Sequence, residues 1–270
     1  KPATPKTARG LAIPEHLETP PPAEWQTAAR AFALACAARL WTAEGARALA
    51  YLRSRGLTDN TIRAFGLGLY WPKDSTHKRA AGYVVDVGWI NRGITIPHYF
   101  AGALWGVKIR RSVADIDHDK AGNVIRIDKY KAATGSRFTA IYNGDELAGE
   151  RRPHTVLVAE GEFDCLLARQ FVPAGMAIVT RGSAQSAPTW EADYLTRGRR
   201  VLIALDTDAA GNNAAAKWST FGDRVQVPAG KDITEYWQQG GDVGAWLQSL
   251  LAPALPPDLE PIAALPDELA

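Results

Sequence analysis

The second half of the chain is punctuated by short runs of consecutive apolar residues, each ending abruptly in polar or charged ones. The clearest is Val201-Leu202-Ile203-Ala204-Leu205, which gives way to Asp206-Thr207-Asp208-Ala209-Ala210-Gly211. A continuous apolar run of that length predicts a strand buried on both faces, as in a parallel sheet covered by helices. Thr155-Val156-Leu157-Val158-Ala159 has the same character and delivers Glu160-Gly161-Glu162-Phe163-Asp164. A third run, Met176-Ala177-Ile178-Val179-Thr180, ends in Arg181-Gly182-Ser183, and a fourth, Val225-Gln226-Val227, leads to Lys231-Asp232. Leu166, Leu167 and Phe171 recur at helical spacing after the second run, so Gly161 marks a tight turn from strand to helix. Strands alternating with helices predict a compact α/β unit with a mainly parallel sheet. Acidic residues leave three of its strand ends.

The first half is patterned differently. Residues 1–23 hold six prolines and no periodicity, the pattern of a semi-extended linker. Glu24 to Trp41 is alanine-rich and helical, with Trp25 and Phe32 seven apart on one face. Ala48–Thr58 predicts a second helix ended by Gly56, and Thr58 or Asp59 caps a third running through Ile62 and Phe65. Between Arg92 and Arg137 the chain is β-rich, with strands at Gly93–Pro97 and Gly102–Arg111 joined by a turn near Ala101-Gly102. Two short helices, Ile233–Gln239 and Val243–Leu251, follow Asp232. Residues 252–270, with five prolines and no basic residue, predict a tail or linker.

Composition adds a few limits. With 46% hydrophobic and 22% charged residues the chain is that of a globular protein. A net charge of +2 gives no global preference for polyanions, so any such preference is local. From Trp105 to Arg137 eight basic residues stand against four acids, directly before the acidic strand ends. Lys108 and Arg110, two apart on a strand, share a face; Lys129 and Lys131 belong to the same cluster, whose plainer reading is a solvated sheet face. Cys36 and Cys165 predict two core thiols, too few for a cysteine-rich zinc site, and the five histidines lack metal-ligand spacing. No run of about 18 apolar residues is present, no signal-peptide core opens the chain, and a cytoplasmic location is expected. A phosphate-binding Gly-x-x-x-x-Gly-Lys-Ser/Thr loop is absent.

The candidate chemistry lies at the strand ends. In an extended segment residues i and i+2 point to one side, so Asp206 and Asp208 face one point. Two carboxylates aimed at one point repel each other unless a cation or proton sits between them, and a hard ion with oxygen ligands, magnesium first and manganese as substitute, suits them.

Glu160-Gly161-x-x-Asp164, then Asp206-x-Asp208 and Gly211, resembles the Toprim domain of primases, type IA topoisomerases and related nucleases. The turn Gly182-Ser183 and the pair Lys231-Asp232 fall where DnaG-type primases carry a glycine turn and a further acid. Tyr51-Leu52-x-x-Arg55-Gly56-Leu57, with Thr61-Ile62-Arg63 and the following Phe65 and Gly68, is similar to the segment that opens the DnaG-type catalytic core. Gly106-Val107-Lys108-Ile109-Arg110 and Lys129-Tyr130 resemble two further elements of that core, with Lys108-Ile109 standing where the family usually shows glycines.

The resemblance implies an α+β fold, a helical and β-rich basic subdomain over 24–150 followed by a Toprim-like α/β sheet over 151–252, flanked by 1–23 and 253–270. It implies RNA primer synthesis on single-stranded DNA from ribonucleoside triphosphates, with a replicative helicase as partner. In that reading Asp206, Asp208 and Asp232 hold magnesium, and Glu160 works beside the attacking 3′-hydroxyl or orders its metal. Arg55, Lys108, Arg110, Lys129 and Lys131 meet phosphates, while Gly161, Asp164, Gly182, Ser183, Gly211 and Lys231 support the motifs. DnaG-type primases also carry an amino-terminal zinc module; residues 1–23 look like the linker after one, so a fragment free of zinc is expected. Two rivals are a Toprim nuclease or topoisomerase-like enzyme and a non-catalytic single-strand-binding module.

Overall fold

The computed structural model describes residues 19–72, 77–79, 89–111, 121, 129–147, 153–182 and 198–251. Residues 1–18 of the predicted linker, the predicted tail, Ser183, and the acids Asp115, Asp117 and Asp119 lie outside these residues, while the last linker position, Ala23, already opens a helix.

Helix α1 (Ala23–Leu40) buries Trp25, Ala29, Phe32, Cys36 and Leu40, the stripe that its spacing predicts. Helix α2 (Ala46–Ser54) stops at Gly56, whose φ of +82° closes the turn. A Cβ there would lie 2.7 Å from a Leu167 methyl and 3.0 Å from the Trp237 ring, so close packing and the backbone both require glycine. Helix α3 (Asp59–Ala64) begins at Thr58, whose hydroxyl accepts the Thr61 N–H.

Strand β1 (Gly68–Tyr70) precedes the short antiparallel pair β2 (His77–Arg79) and β3 (Trp89–Asn91). Next come β4 (Gly93–Phe100), β5 (Ala103–Arg111) and β6 (Tyr130–Ala132), forming with β1 an antiparallel sheet ordered β1-β4-β5-β6. Ala101 and Gly102, at φ 53° and 78°, make the predicted hairpin turn. Helix α1 packs on this sheet, placing Trp25, Phe32 and Cys36 against Leu104, Val107 and Ile109.

The second sheet contains β7 (Thr155–Ala159), β8 (Met176–Thr180), β9 (Arg200–Ala204) and β10 (Asp223–Arg224). Its order is β10-β9-β7-β8, and every pair is parallel. Helix α4 (Glu162–Arg169) leads from β7 to β8; α5 (Ala209–Trp218) follows β9; α6 (Ile233–Gln238) and α7 (Val243–Leu251) close the chain. Val156, Val158, Val179, Val201 and Ile203 face Ala215 and Trp218 on one side. Leu157, Ile178 and Leu202 face Phe163, Leu166 and Leu247 on the other. The second core continues without a break into Leu52, Leu57 and Ile62 of the helical hairpin and Ile94 and Ile96 of the antiparallel sheet.

The fourth strand differs from the sequence reading. Pairing falls on Asp223–Arg224, and Val225 contributes one further bond, its N–H to Ile203 O, before the chain leaves the sheet toward Pro228.

Candidate functional site

Strand β7 continues through α4 to β8 on one side, whereas β9 lies on its other side. The connections therefore diverge between β7 and β9, and the carboxyl ends of such strands leave an open crevice where α/β sheets build sites. Register places Ala159 beside Ala204, so Glu160 and Asp206 emerge together at this point. The Asp206 N–H donates to Glu160 Oε2 at 2.9 Å. Thr207 N–H donates to Lys231 O at 3.0 Å, which draws the Lys231-Asp232 turn to the same strand end. Asp164, one turn into α4, accepts the Thr234 hydroxyl at 2.6 Å and its N–H at 3.1 Å.

Four carboxylates thus share one crevice. Burial, then the charges of Glu160, Asp164 and Asp232, pushes the Asp206 carboxyl up to about 7, against the opposing pull of Lys231. Burial and Asp232 likewise raise Asp164 to about 6, although Thr234 and the Arg55 charge favour its ionised form. Among the described residues no donor reaches the Asp206 carboxylate. Nor do any three acids, imidazoles or thiols among them converge closely enough to hold an ion as they stand. The cluster has all-oxygen donor chemistry and mutual repulsion, which fits a hard dication, with its side chains not yet gathered to ligand spacing.

Asp208 stands apart from this group. It is exposed and caps α5, its Oδ1 accepting the Gly211 N–H at 2.8 Å. The chain is still extended at Asp208, at φ −74° and ψ 175°, and α5 starts one residue later, so it is the capping bond that turns Oδ1 toward Gly211. Gly211 is needed because a Cβ there would lie 2.0 Å from Asp206 O. Asp232 caps α6 through Glu235 N–H at 2.6 Å, and Glu235 returns a bond to Lys231 N–H at 2.9 Å. Lys231 Nζ lies 3.8 Å from Asp232 Oδ2.

The basic residues divide. Arg110 shares the face of β5 that carries Lys108, its Nη2 3.2 Å from Tyr51 OH and its guanidinium 5.1 Å from the Tyr130 ring centre. Arg55 acts on Asp164, and among the described residues its buried Nε has no hydrogen-bond partner. Lys131 pairs with Ile109 rather than Arg110 in the register of β5 and β6, so it faces the other side of the sheet. Lys129 is exposed just before β6. Lys108 is largely buried, its Nζ donating to Glu162 Oε1 at 2.7 Å and to Gly182 O.

Several residues here were invisible to sequence reasoning. Glu162 is 1% exposed and lies between Lys108 and His98, whose Nε2 is 3.1 Å from the same oxygen with its N–H poorly aimed. Burial alone would raise the Glu162 carboxyl, but His98 and the Lys108 charge outweigh it and hold it at about 2. Gln170 at the end of α4 receives the Thr58 N–H and the Thr58 and Thr61 hydroxyls, each at 2.8 Å, and donates to Gly56 O at 2.8 Å. Gln238 donates to Ser54 O at 2.8 Å. These bonds strap the Arg55-Gly56 corner to the parallel-sheet unit and so carry Arg55 to Asp164.

Comparison with known proteins first defines the class. Residues 157–237 match the family model described as Toprim-like. No curated protein matches the chain by sequence. Among solved structures, the RNA polymerase domain of Mycobacterium tuberculosis primase DnaG is 19% identical, with 84% of this chain covering 82% of that one at a TM-score of 0.63. A DNA primase domain from Pseudomonas aeruginosa is 18% identical, with 84% of this chain covering 78% of that one at 0.62. A DnaG primase catalytic domain bound to single-stranded DNA is 19% identical, with 83% and 77% covered at 0.61. The chain has the fold of DnaG primase catalytic cores, with its Toprim-like segment at the carboxyl side. The α+β architecture and the resemblance drawn from the motifs are as expected.

Proposed function

We propose that the chain is a primase catalytic core that joins ribonucleoside triphosphates into short RNA primers on a single-stranded DNA template. The observation that carries this reading is the carboxylate crevice of Glu160, Asp164, Asp206 and Asp232, with the Arg55 charge acting on it, on a fold shared with primase cores. Asp206, Asp232, Glu160 and, with a turn of its cap, Asp208 would hold magnesium, or manganese in its place. Such an ion, when bound, neutralises triphosphate charge and acidifies a nearby hydroxyl.

The remaining work belongs to the chain. Glu160 is anchored by one oxygen to the Asp206 N–H, leaving Oε1 to accept the proton of an attacking 3′-hydroxyl. Arg55 and Arg110 are held on a fixed frame by the Gly56 corner and by Tyr51 and Tyr130, where they orient phosphates without large reorganisation. Lys129 extends that basic edge toward the template. Synthesis is favoured over phosphodiester cleavage because the hairpin α2–α3 and the antiparallel sheet are built into the site and belong to the fold shared with primase cores. A replicative helicase is the partner that such an activity implies.

The test is primer synthesis from ribonucleotides on single-stranded DNA with magnesium. Oligoribonucleotide products that disappear in Asp206→Asn support the reading. Cleavage of the template without synthesis would instead favour the nuclease alternative.

A further inference from the structure

Lys108 was expected to meet phosphates, but its ammonium is already engaged. It donates to Glu162 Oε1 at 2.7 Å and to Gly182 O, with the Tyr130 ring centre 4.6 Å away. Its side chain is 14% exposed and that of Glu162 only 1%. Lys108 and His98 belong to the antiparallel sheet, while Glu162 and Gly182 follow β7 and β8 of the parallel sheet. Gly182, at φ +73°, is pressed so closely on this pair that a Cβ would lie 2.4 Å from Glu162 Oε1 and 3.0 Å from Lys108 Nζ. Its N–H donates to Thr180 Oγ1 at 2.8 Å, and that hydroxyl donates to Glu160 O at 3.0 Å. A chain of short contacts therefore runs from β5 through Gly182 and Thr180 to the backbone of Glu160. Through Glu162 a second path reaches the first turn of α4, which carries Asp164.

We propose that Lys108 is a positioning residue: its pairing with Glu162 and Gly182 sets the carboxylates Glu160 and Asp164 at a fixed offset from Arg110, two residues along the same strand. A buried ion pair is poorly suited to adding net stability but well suited to fixing one register between two packed units. A flexible phosphate ligand needs a free ammonium in solvent, and Lys108 has neither the freedom nor the exposure. The inference deepens the proposed function and rests on its assignment of the metal-side carboxylates.

The experiment compares Lys108→Met, Glu162→Gln and the double variant in thermal unfolding, in Mn2+ binding by electron paramagnetic resonance, and in the salt dependence of binding to a single-stranded oligonucleotide. Lys108→Met leaves Glu162 buried without its cation and lowers Tm by about 10 °C. The double variant has no unpaired charge and regains most of that loss. Its Mn2+ affinity stays about tenfold below wild type and its rate of nucleotide addition falls in parallel, while KM for ribonucleotides is unchanged; a 1.4 kcal/mol offset between the units corresponds to that tenfold. The salt slope is the same in all four proteins. A slope reduced by about 0.7 in Lys108→Met would make Lys108 a phosphate ligand and overturn the proposal. Mn2+ affinity that returns with Tm in the double variant would overturn it too, leaving the pair merely structural. Wild type that binds Mn2+ yet makes no primers defeats the primase reading alone, and the positioning role is then decided by the Mn2+ measurements.

Discussion

Replacing Asp206 by Asn should stabilise the metal-free protein at alkaline pH while destroying its metal site. The Asp206 carboxyl titrates at about 7 rather than 3.8, so between those values the folded chain holds a proton that the unfolded chain has released. Stability conferred by that proton is present below pH 4 and lost as pH rises through 7, because the folded state binds more protons across the window. At about 1.4 kcal/mol per pH unit, the interval amounts to about 4 kcal/mol if undiscounted. Asp206 is only part-buried, and solvent screening reduces the effect to about 2 kcal/mol. For a chain of this size that is a Tm change of about 5 °C. Asp164, raised to about 6, adds a fall of the same sign in both proteins, and the difference between wild type and variant reads Asp206 together with its repulsion of Asp164. The assay is thermal unfolding of wild type and Asp206→Asn at pH 5 and pH 8, each with EDTA or with magnesium. In EDTA the variant should be higher by about 2 °C at pH 5, where over a third of the interval has been crossed, and by about 5 °C at pH 8. Magnesium should raise the wild-type Tm at pH 8 and leave the variant unmoved. A variant no more stable than wild type at pH 8 in EDTA would refute the burial and carboxylate repulsion that together raise Asp206.

Asp208→Asn keeps a good helix cap, so it should leave stability within about 0.5 kcal/mol of wild type; primer synthesis should fall if its charge serves the metal, and unchanged synthesis would confine Asp208 to capping α5. Arg110→Ala should lower the salt slope of single-strand binding by about 0.7, and an unaltered slope would remove it from the phosphate path. Gln170→Ala deletes the bonds to Gly56, Thr58 and Thr61 and should cost about 2 kcal/mol. Hydrogen exchange should then quicken at the Arg55-Gly56 corner more than in β7, and uniform quickening would show that the strap is not local.

The parallel sheet was legible because β7, β8 and β9 are buried on both faces, and such strands need no partner to announce themselves. Glu160 and Asp206 could be read at the strand ends because a carboxylate directly after a buried run has nowhere else to stand. Period-two reasoning places Asp206 and Asp208 at one strand end, but it is silent on the capping bond by which Asp208 also holds the Gly211 N–H at the start of α5. Alternation placed Lys108 and Arg110 on one face of β5 but could not say what lies opposite that face. Glu162 sits 54 positions from Lys108, and only the packing of one sheet on the other reveals that the two neutralise each other. Gln170 carries no sequence signal at all; its function depends on three threonine donors and a carbonyl that approach from 109 to 114 residues away.

The hydrophobic core that runs from Leu52, Leu57 and Ile62 through Ile94 and Ile96 to Leu157, Phe163 and Leu167 has a consequence for how this architecture is inherited and engineered. A seam near residue 150 separates one sheet from the other along the chain, yet the oil between them has no seam. Grafting the acidic sheet onto a foreign partner would strip one side of Leu167 and Trp237 and leave Gly56 with nothing to press against. The two halves are therefore bound to change together. The φ of +82° bars a side chain at Gly56 whatever the space opposite, so it is the bulk at 167 and 237 that must stay matched to a glycine across the gap, and this ties the basic half to the acidic one.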